Sequence, residues 1–302
     1  MSDVDRGRPY CSTQTAATVI GSVFLDSKTF AQSSKRVDTI GGVGHNVARA
    51  LASFGLKVTL GTMLDYSAAA LAIETSLTSA DIRVIANRRR NGLGRFESLV
   101  NLEGEGVVVG ATPPDWDVVP AHAFLQQITN AVAESAVVCI ELGLPNRIVS
   151  SAIELARDSG AKTCGLPTRR RSLDSQRPYL RSLDYLSLNR LEAEAITGIQ
   201  DVVPLDQIAS VLTSAGPPNV LVTAGADGAY AIGFGHPGTS VTAPCVTVVD
   251  TTGAGDALVG GAVGLHILGR ADPLSGACNL VASVLASSDS YAVVKPTVAE
   301  AN

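Results

Sequence analysis

The sequence predicts an α/β fold in which helices cover both faces of a mostly parallel central sheet. From residue 118 onward, short apolar runs alternate with helical segments, as in the run 136–141 and the helix 145–159 that follows it. Short, continuously apolar strands are typical of a parallel sheet that is buried on both faces. The composition agrees with a large core, since 46% of the 302 residues are hydrophobic and only 17% are charged.

The elements of this fold follow from the spacing of apolar residues. The run 16–20 predicts a buried first strand, and Val47, Leu51 and Phe54 predict a helix after the glycines at 41–44. The other predicted strands are 57–60, 136–141, 161–166, 185–188, 219–223 and 246–249. The other predicted helices are 68–77, 145–159, 191–198, 205–215, 257–268 and 273–288.

Two stretches, 25–40 and 95–109, instead alternate polar and apolar side chains. Alternation of this length predicts half-exposed antiparallel strands. We expect them to form a small β-sheet lid, with strands within 22–40 and 93–110, that projects from a single domain over 1–302.

Charge and composition exclude several classes of function. The formal net charge of −5 opposes a polyanion, and aromatic residues make up only 4% of the chain, so we expect no nucleic-acid partner. The five cysteines are scattered without a CxxC pair, which argues against a zinc site or a disulfide framework. No apolar stretch reaches membrane-spanning length and residues 1–15 lack the apolar core of a signal peptide, so we expect a cytoplasmic protein without a membrane partner.

The strongest motif is Asp250-Thr251-Thr252-Gly253-Ala254-Gly255-Asp256, which lies between a predicted strand and a predicted helix. Such small residues let a ligand approach the backbone, and the N–H groups of a helix N-terminus bind anions. Asp256 could then take the proton of an attacking hydroxyl while these amides stabilise a transferred phosphoryl group. A simple Asp N-cap is the alternative, and the two glycines together with a second carboxylate favour the catalytic interpretation.

The segment 250–256 resembles the C-terminal signature of the ribokinase-like (PfkB) carbohydrate kinase family. The resemblance implies a ribokinase-like three-layer α/β/α sandwich and an ATP-dependent phosphotransferase with an alcohol acceptor. It further implies that Asp256 is the base and that Gly253, Ala254 and Gly255 form the anion hole. Asp250 and Thr252 match positions that help place a monovalent cation, K⁺, beside the hole.

The segment Gly41-Gly42-Val43-Gly44-His45-Asn46 resembles the N-terminal signature of the same family. The resemblance implies that Gly41, Gly42 and Asn46 bind substrate hydroxyls, and that Asp26 holds two of them. A solvated loop carboxylate is the alternative for Asp26.

A Rossmann dinucleotide loop is a competing interpretation of these glycines, with Gly42, Gly44, Ala48 and Asp65 in the places of its fingerprint. A Rossmann loop follows a buried strand, whereas residues 35–39 are polar and alternating. An NAD-dependent oxidoreductase is therefore a distant alternative.

Asn189 and Glu192 resemble the family's Asn-x-x-Glu motif, which implies that they organise Mg²⁺ through its waters. The same spacing suits a helix capping box, and the two roles are compatible. Thr223, Gly225 and Gly228 resemble the turn that contacts the ATP phosphates, although a plain hairpin turn is the alternative. Asn279 lies where the family often has an Asn at the adenine pocket.

The closest resemblance within the family is to pseudouridine kinases, through Gly-Gly-Val-Gly-x-Asn at 41–46 and Asn-Arg-Leu-Glu-Ala-Glu at 189–194. A non-catalytic ligand sensor is a distant alternative, against which the intact motif at 250–256 argues. Three departures leave another acceptor (ribose, fructose or an adenosine-type nucleoside) open. They are His45 where Arg is common, the missing Gly-x-Asp-x-x-Gly at 61–66, and 165–168 in place of an Asp-Pro. The resemblance also implies a homodimer formed through the β lid.

Overall fold

Thirteen strands and eight α-helices are found in the computed structural model, which describes residues 15–30, 35–100, 106–168, 172–199, 203–249 and 251–287. The strands are β1 (Ala16–Ile20), β2 (Phe24–Phe30), β3 (Lys35–Gly41), β4 (Lys57–Leu64), β5 (Ile82–Arg88), β6 (Gly94–Val100), β7 (Gly106–Thr112), β8 (Val137–Glu141), β9 (Lys162–Leu166), β10 (Tyr185–Asn189), β11 (Asn219–Thr223), β12 (Ala229–Gly233) and β13 (His236–Val241). The helices are α1 (Val43–Ser53), α2 (Ala68–Ser79), α3 (Ala121–Ala133), α4 (Asn146–Asp158), α5 (Arg190–Thr197), α6 (Leu205–Ser214), α7 (Ala254–Ile267) and α8 (Pro273–Leu285).

The main sheet has nine strands in the order β13-β12-β11-β10-β9-β8-β1-β4-β5. The strands from β11 to β5 pair in parallel, and only the β12 and β13 edge is antiparallel. The prediction of a mostly parallel central sheet is therefore confirmed. All parallel strands end at the same edge of the sheet, which in such folds is the edge that binds ligands.

Both faces of the main sheet are covered, as the continuously apolar strands predict. Along β1 and β4, Val19 and Leu60 pack into the core under α1, α2, α7 and α8. On the same two strands, Ile20 and Met63 pack into the opposite core, under α3, α4, α5 and α6. Alternate residues thus serve two cores, which produces three layers. None of the helices in the described ranges is long and apolar enough to cross a membrane.

A second sheet has four strands in the order β3-β2-β6-β7, which we call the small sheet. Its outer pairs, β2 with β3 and β6 with β7, are antiparallel, but the central pair β2–β6 is parallel. The sequence predicts antiparallel strands throughout. The central pair differs because the chain leaves β3, crosses through α1, β4, α2 and β5, and re-enters the small sheet in the direction of β2.

The segment 246–249 was predicted to be a strand, and this prediction is wrong. Val248 and Val249 are 53% and 57% exposed, and the segment has no regular structure. The Val249 N–H donates to the Leu285 carbonyl at the end of α8 (2.7 Å). The last carbonyls of a helix have no intrahelical partner, so this backbone bonds to the end of α8 instead of pairing with a strand.

Candidate active site

A cavity of about 410 Å³ opens at the carboxyl edge of the main sheet, where the ends of β9, β10 and β11 meet the beginning of α7. Its lining includes Thr168, Asn189, Glu192, Thr223, Gly255 and Asp256. All of these except Thr168 were predicted from three motifs that are far apart in the sequence, and they line one cavity.

The beginning of α7 is built from backbone. Gly253 adopts the left-handed conformation (φ 79°) that glycine accepts without strain, and no side chain caps the helix. The Ala254 N–H donates to the Thr251 carbonyl (3.3 Å). The next amides, those of Gly255 and Asp256, lie in the first helical turn, where N–H groups have no intrahelical acceptor. The helix begins three residues earlier than predicted, so Asp256 is its third residue and not its N-cap.

Gly255 has room for a side chain that it lacks. A Cβ built there would meet only the Thr223 Oγ1, at 3.9 Å. Glycine inside a helix costs about 1 kcal/mol relative to alanine, and neither packing nor an unusual φ requires it here. The open space in front of Gly255 is a place where a ligand could approach the helix amides.

Asp256 projects from this turn into the cavity and is partly buried. Its Oδ2 accepts a hydrogen bond from Asn46 Nδ2 (2.9 Å), which joins two motifs that lie 210 residues apart. Burial raises the pKa of Asp256 to about 7, the bond from Asn46 opposes the rise, and the negative charges of Glu192 and Glu141 add to it. A carboxylate with a pKa near neutrality suits a general base.

The four residues predicted to bind the acceptor lie near one another. Asp26 is on β2, where its carboxylate fills the space that a Cβ at Gly41 would occupy. Gly42 (φ 97°) precedes α1, and a Cβ there would overlap the Ser22 carbonyl. Asn46 is 2% exposed and reaches Asp256. The N-terminal glycine motif therefore adjoins the start of α7, as a shared site requires.

The Rossmann alternative does not fit this arrangement. The glycines follow β3, a half-exposed strand of the small sheet, and not a buried strand of the main sheet. Asp65 accepts a hydrogen bond from the Ser67 N–H (2.9 Å) and faces Arg95 Nη2 at 3.6 Å, so local contacts engage its carboxylate.

Asn189 and Glu192 form the capping box that their spacing allows. The Asn189 Oδ1 accepts from the Glu192 N–H (3.0 Å), and the Glu192 Oε2 accepts from the Asn189 N–H (2.9 Å). Both residues also line the cavity. Asn189 and Glu192 therefore cap α5, and their side chains line the same cavity as Asp256.

The predicted nucleotide residues are only partly brought together. Thr223 ends β11 and lines the cavity. Gly225 and Gly228 form the tight turn into β12, where the Gly228 N–H donates to the Gly225 carbonyl (3.1 Å), so the turn alternative is realised. Asn279 is exposed on α8 and does not line the cavity. Thr252 is exposed beside Gly253, and Asp250 lies outside the described residues.

Comparison with known proteins agrees with this geometry. The family model described as pfkB family carbohydrate kinase matches residues 15–265. The chain belongs to the PfkB family of carbohydrate kinases.

Relatives of this PfkB kinase include two ribokinases. The mouse (Mus musculus) ribokinase is 27% identical over 287 residues, which cover 84% of this chain and 83% of that protein. The Haemophilus influenzae ribokinase is 29% identical over 145 residues, 47% of this chain and 46% of that protein.

Solved structures share the fold of this PfkB kinase. Arabidopsis thaliana ribokinase complexed with ribose and ATP has a TM-score of 0.78 at 18% identity, covering 90% of this chain and 93% of its own. Adenosine kinase from Sinorhizobium meliloti has a TM-score of 0.78 at 19% identity, covering 94% and 97%. The protein has the ribokinase-like fold and is a phosphotransferase with a hydroxyl acceptor.

Kinases of this type use ATP, generally with Mg²⁺. Among the described residues, no group of three or more His, Cys, Asp or Glu side chains could hold a metal ion. Mg²⁺ usually keeps several waters and takes only one or two carboxylates, so the oxygen atoms of Asn189 and Glu192 in the cavity wall are a chemically suitable set.

Sequence reasoning missed Glu141. This carboxylate ends β8, is 4% exposed, and accepts hydrogen bonds from the Ser22 N–H (2.7 Å) and the Thr168 hydroxyl (3.3 Å). Its negative charge acts on Asp256. A charged residue closing an otherwise apolar strand, at the edge where ligands bind, was the signal that could have identified it.

Proposed function

We propose that this PfkB kinase transfers the γ-phosphoryl group of ATP to a hydroxyl of a nucleoside or sugar, with the 5′-hydroxyl of pseudouridine as the first acceptor to test. The observation that carries the reaction is the hydrogen bond from Asn46 to Asp256, which lines the cavity beside the uncapped start of α7. It supports the proposal that the acceptor motif, the base and the anion hole belong to one site.

In the proposed reaction, the Asp256 carboxylate removes the proton of the acceptor hydroxyl. The hydroxyl oxygen then forms a bond to the γ-phosphorus, the bond from that phosphorus to the β–γ bridging oxygen breaks, and ADP leaves with the electron pair. The amides of Gly255 and Asp256, with the dipole of α7, stabilise the negative charge of the transferred group. Asn46, Gly41, Gly42 and Asp26 hold the acceptor so that one hydroxyl faces the base.

The nucleotide side of the proposal rests on resemblance as well as position. Asn189 and Glu192 would hold Mg²⁺ through its waters, and the metal would neutralise phosphate charge. Thr223 would contact the phosphates from the cavity wall. Gly225, Gly228 and Asn279 stay assigned to ATP by family analogy, as Asp250 and Thr252 do to K⁺.

The identity of the acceptor is the most specific part of the proposal. The motifs at 41–46 and 189–194 support pseudouridine. Ribose is the second candidate, because the mouse relative that matches over 83% of its length is a ribokinase. Leu166, Pro167 and Thr168 line the cavity and belong to the segment that replaces the Asp-Pro often found in the family, so this departure bears on the choice of acceptor.

An ATP-consumption assay with Mg²⁺ over pseudouridine, uridine, adenosine, ribose and fructose tests the acceptor, with the Asp256→Asn variant as the blank. We expect pseudouridine to give the highest kcat/KM and the variant to be slower by about 10²-fold or more. Faster turnover of ribose would identify ribose as the acceptor and leave the proposed reaction unchanged. If the Asp256→Asn variant consumed ATP as fast as the wild type, the assignment of Asp256 as the base would be overturned.

We also propose that the small sheet closes over the acceptor and that two small sheets pair in a homodimer. Leu99, Val108 and Val109 on β6 and β7 are 40%, 57% and 62% exposed, which is unusual for large apolar side chains of a sheet. A mass of twice the chain mass by light scattering would support the dimer, and the mass of one chain would contradict it.

A further inference from the structure

His45 lies next to Asn46 on α1, and it is one of the positions where the sequence departs from the group that it most resembles. We propose that His45 is a positioning residue for the reaction: its Nδ1–H fixes the side-chain amide of Asn46 so that Asn46 presents its N–H to Asp256. The proposal rests on the proposed function, since it gives the base Asp256 a supporting network.

The geometry is a chain of two hydrogen bonds. His45 Nδ1 lies 2.9 Å from Asn46 Oδ1, and Asn46 Nδ2 lies 2.9 Å from Asp256 Oδ2. The backbone beneath is also held, because the Asn46 N–H donates to the Gly42 carbonyl (2.9 Å). His45 and Asn46 are 4% and 2% exposed, so water has little access to either side chain.

Hydrogen-bonding rules fix the direction of this chain. An ionised carboxylate accepts and cannot donate, so Asn46 must turn its NH₂ group toward Asp256 whenever Asp256 is ready to act as a base. The Oδ1 of Asn46 then faces His45, and the bond at 2.9 Å requires a proton on Nδ1. Without a donor at this place, the amide can rotate and present its oxygen to the carboxylate, which raises the pKa of Asp256 by repulsion.

The charged groups around the chain support a neutral donor. Burial lowers the pKa of His45 to about 4, and the positive charge of Arg49 on the same helix lowers it further, whereas the bond to Asn46 opposes the fall. His45 therefore donates as a neutral imidazole at physiological pH. The negative charges of Glu192 on α5 and Glu141 on β8 raise the pKa of Asp256, and the donor N–H of Asn46 is the contact that opposes them.

Three substitutions separate this role from simple packing. In asparagine, the side-chain nitrogen stands at the same number of bonds from Cα as Nδ1 does in histidine, so His45→Asn keeps a donor in place. His45→Gln carries the same amide one bond further out and does not reproduce Nδ1. His45→Leu has a similar size and no donor.

The experiment is the pH dependence of kcat/KM from pH 5.5 to 9.5 for the wild type and the three variants, with the best acceptor of the panel. In His45→Leu and His45→Gln, we expect the acidic limb to move up by about one pH unit, which is a tenfold loss below the apparent pKa that disappears at pH 9. We expect His45→Asn to follow the wild-type profile. The KM for ATP should be unchanged in all three variants, because the hydrogen bonds from His45 to Asn46 and from Asn46 to Asp256 lie on the acceptor side of the proposed site.

Carboxyl ¹³C NMR titration of Asp256, assigned by the signal lost in Asp256→Asn, provides a readout that does not need activity. Unmoved titration curves in His45→Leu and His45→Gln would overturn the proposal, as would an equal shift in all three variants, which would indicate packing. If circular dichroism shows that His45→Leu does not fold, the comparison of His45→Asn with His45→Gln tests the proposal. If Asp256→Asn retains turnover, the base assignment of the proposed function fails, and the NMR titration still decides whether His45 positions Asn46.

Discussion

Two helices, α5 and α7, begin at the same cavity, and their first turns are built in opposite ways. The α5 turn satisfies its own backbone, because Asn189 and Glu192 each accept an N–H of the other. The α7 turn begins with Gly253 in a left-handed conformation and has no side-chain cap. At Gly255, the space that a side chain would fill is open.

The difference indicates which helix end is free to bind a ligand. Helix N-termini attract anions, but a turn whose amides are already bonded to side chains offers fewer donors. The α7 turn lacks the stabilisation of about 1 kcal/mol that a side-chain cap provides, and its residues Gly255 and Asp256 line the cavity. We therefore expect changes at α7 to affect activity more strongly than changes at α5 do, and loss of the α5 cap to lower stability.

The largest expected effect is that of Asp256→Asn. The amide keeps the size of the carboxyl group and can still accept the bond from Asn46, but it cannot take a proton from a hydroxyl. We expect kcat to fall by about 10²- to 10⁴-fold, with ATP affinity by calorimetry close to that of the wild type. A normal circular dichroism spectrum is the control for folding, and turnover within a few fold of the wild type would remove Asp256 as the base.

Much of this comparison could be predicted from the sequence, because the motifs at both helices consist of short local segments. The strands with a continuous apolar stretch, such as β8 and β11, were predicted correctly for the same reason. The segment 246–249 was misassigned since its β-branched residues have the propensity of a strand but no neighbouring strand to pair with.

A local pattern marks Glu141 as a candidate, because it is a charged residue at the end of an apolar strand, but local patterns could not show the network around the base. Glu141 and His45 reach Asp256 only through tertiary contacts, by charge in one case and through Asn46 in the other. A buried glutamate at a strand end and a buried histidine in a helix are both compatible with structural roles. Only the distances between side chains, which depend on how α1 and α7 pack, distinguish these roles.

The next largest effect is expected for Gly255→Ala. Because the added methyl group meets open space, the helix should gain up to about 1 kcal/mol in the free energy of unfolding. The same methyl group would lie where a phosphate approaches the amides, so we expect kcat to fall about 10- to 100-fold. Ser210→Ala on the exposed face of α6 is the matched control for helix propensity, with no loss of kcat. Full activity in Gly255→Ala would show that the open space serves no ligand.

A smaller effect concerns the stability of Asp256→Asn as a function of pH. The pKa of Asp256 is raised from 3.8 to about 7 by folding, so the unfolded state releases the proton first and the wild type loses stability as pH rises through this window. Asparagine does not titrate. The stability of the variant relative to the wild type should therefore increase between pH 5 and pH 8 by on the order of 1–3 kcal/mol, as measured by urea unfolding. Parallel stability curves would contradict the raised pKa.

The smallest effect is expected at α5, for Asn189→Ala. Loss of the cap should lower the free energy of unfolding by about 1 kcal/mol, and loss of the amide oxygen from the cavity should raise the Mg²⁺ concentration that gives half-maximal turnover. Asn189→Ser separates the two roles, because serine caps a helix nearly as well but its shorter side chain does not reach as far into the cavity. We expect serine to restore the stability and not the Mg²⁺ dependence. If serine restored both, Asn189 would serve the helix alone; if alanine left the stability unchanged, the α5 turn would not depend on its cap, and the contrast with α7 would be lost.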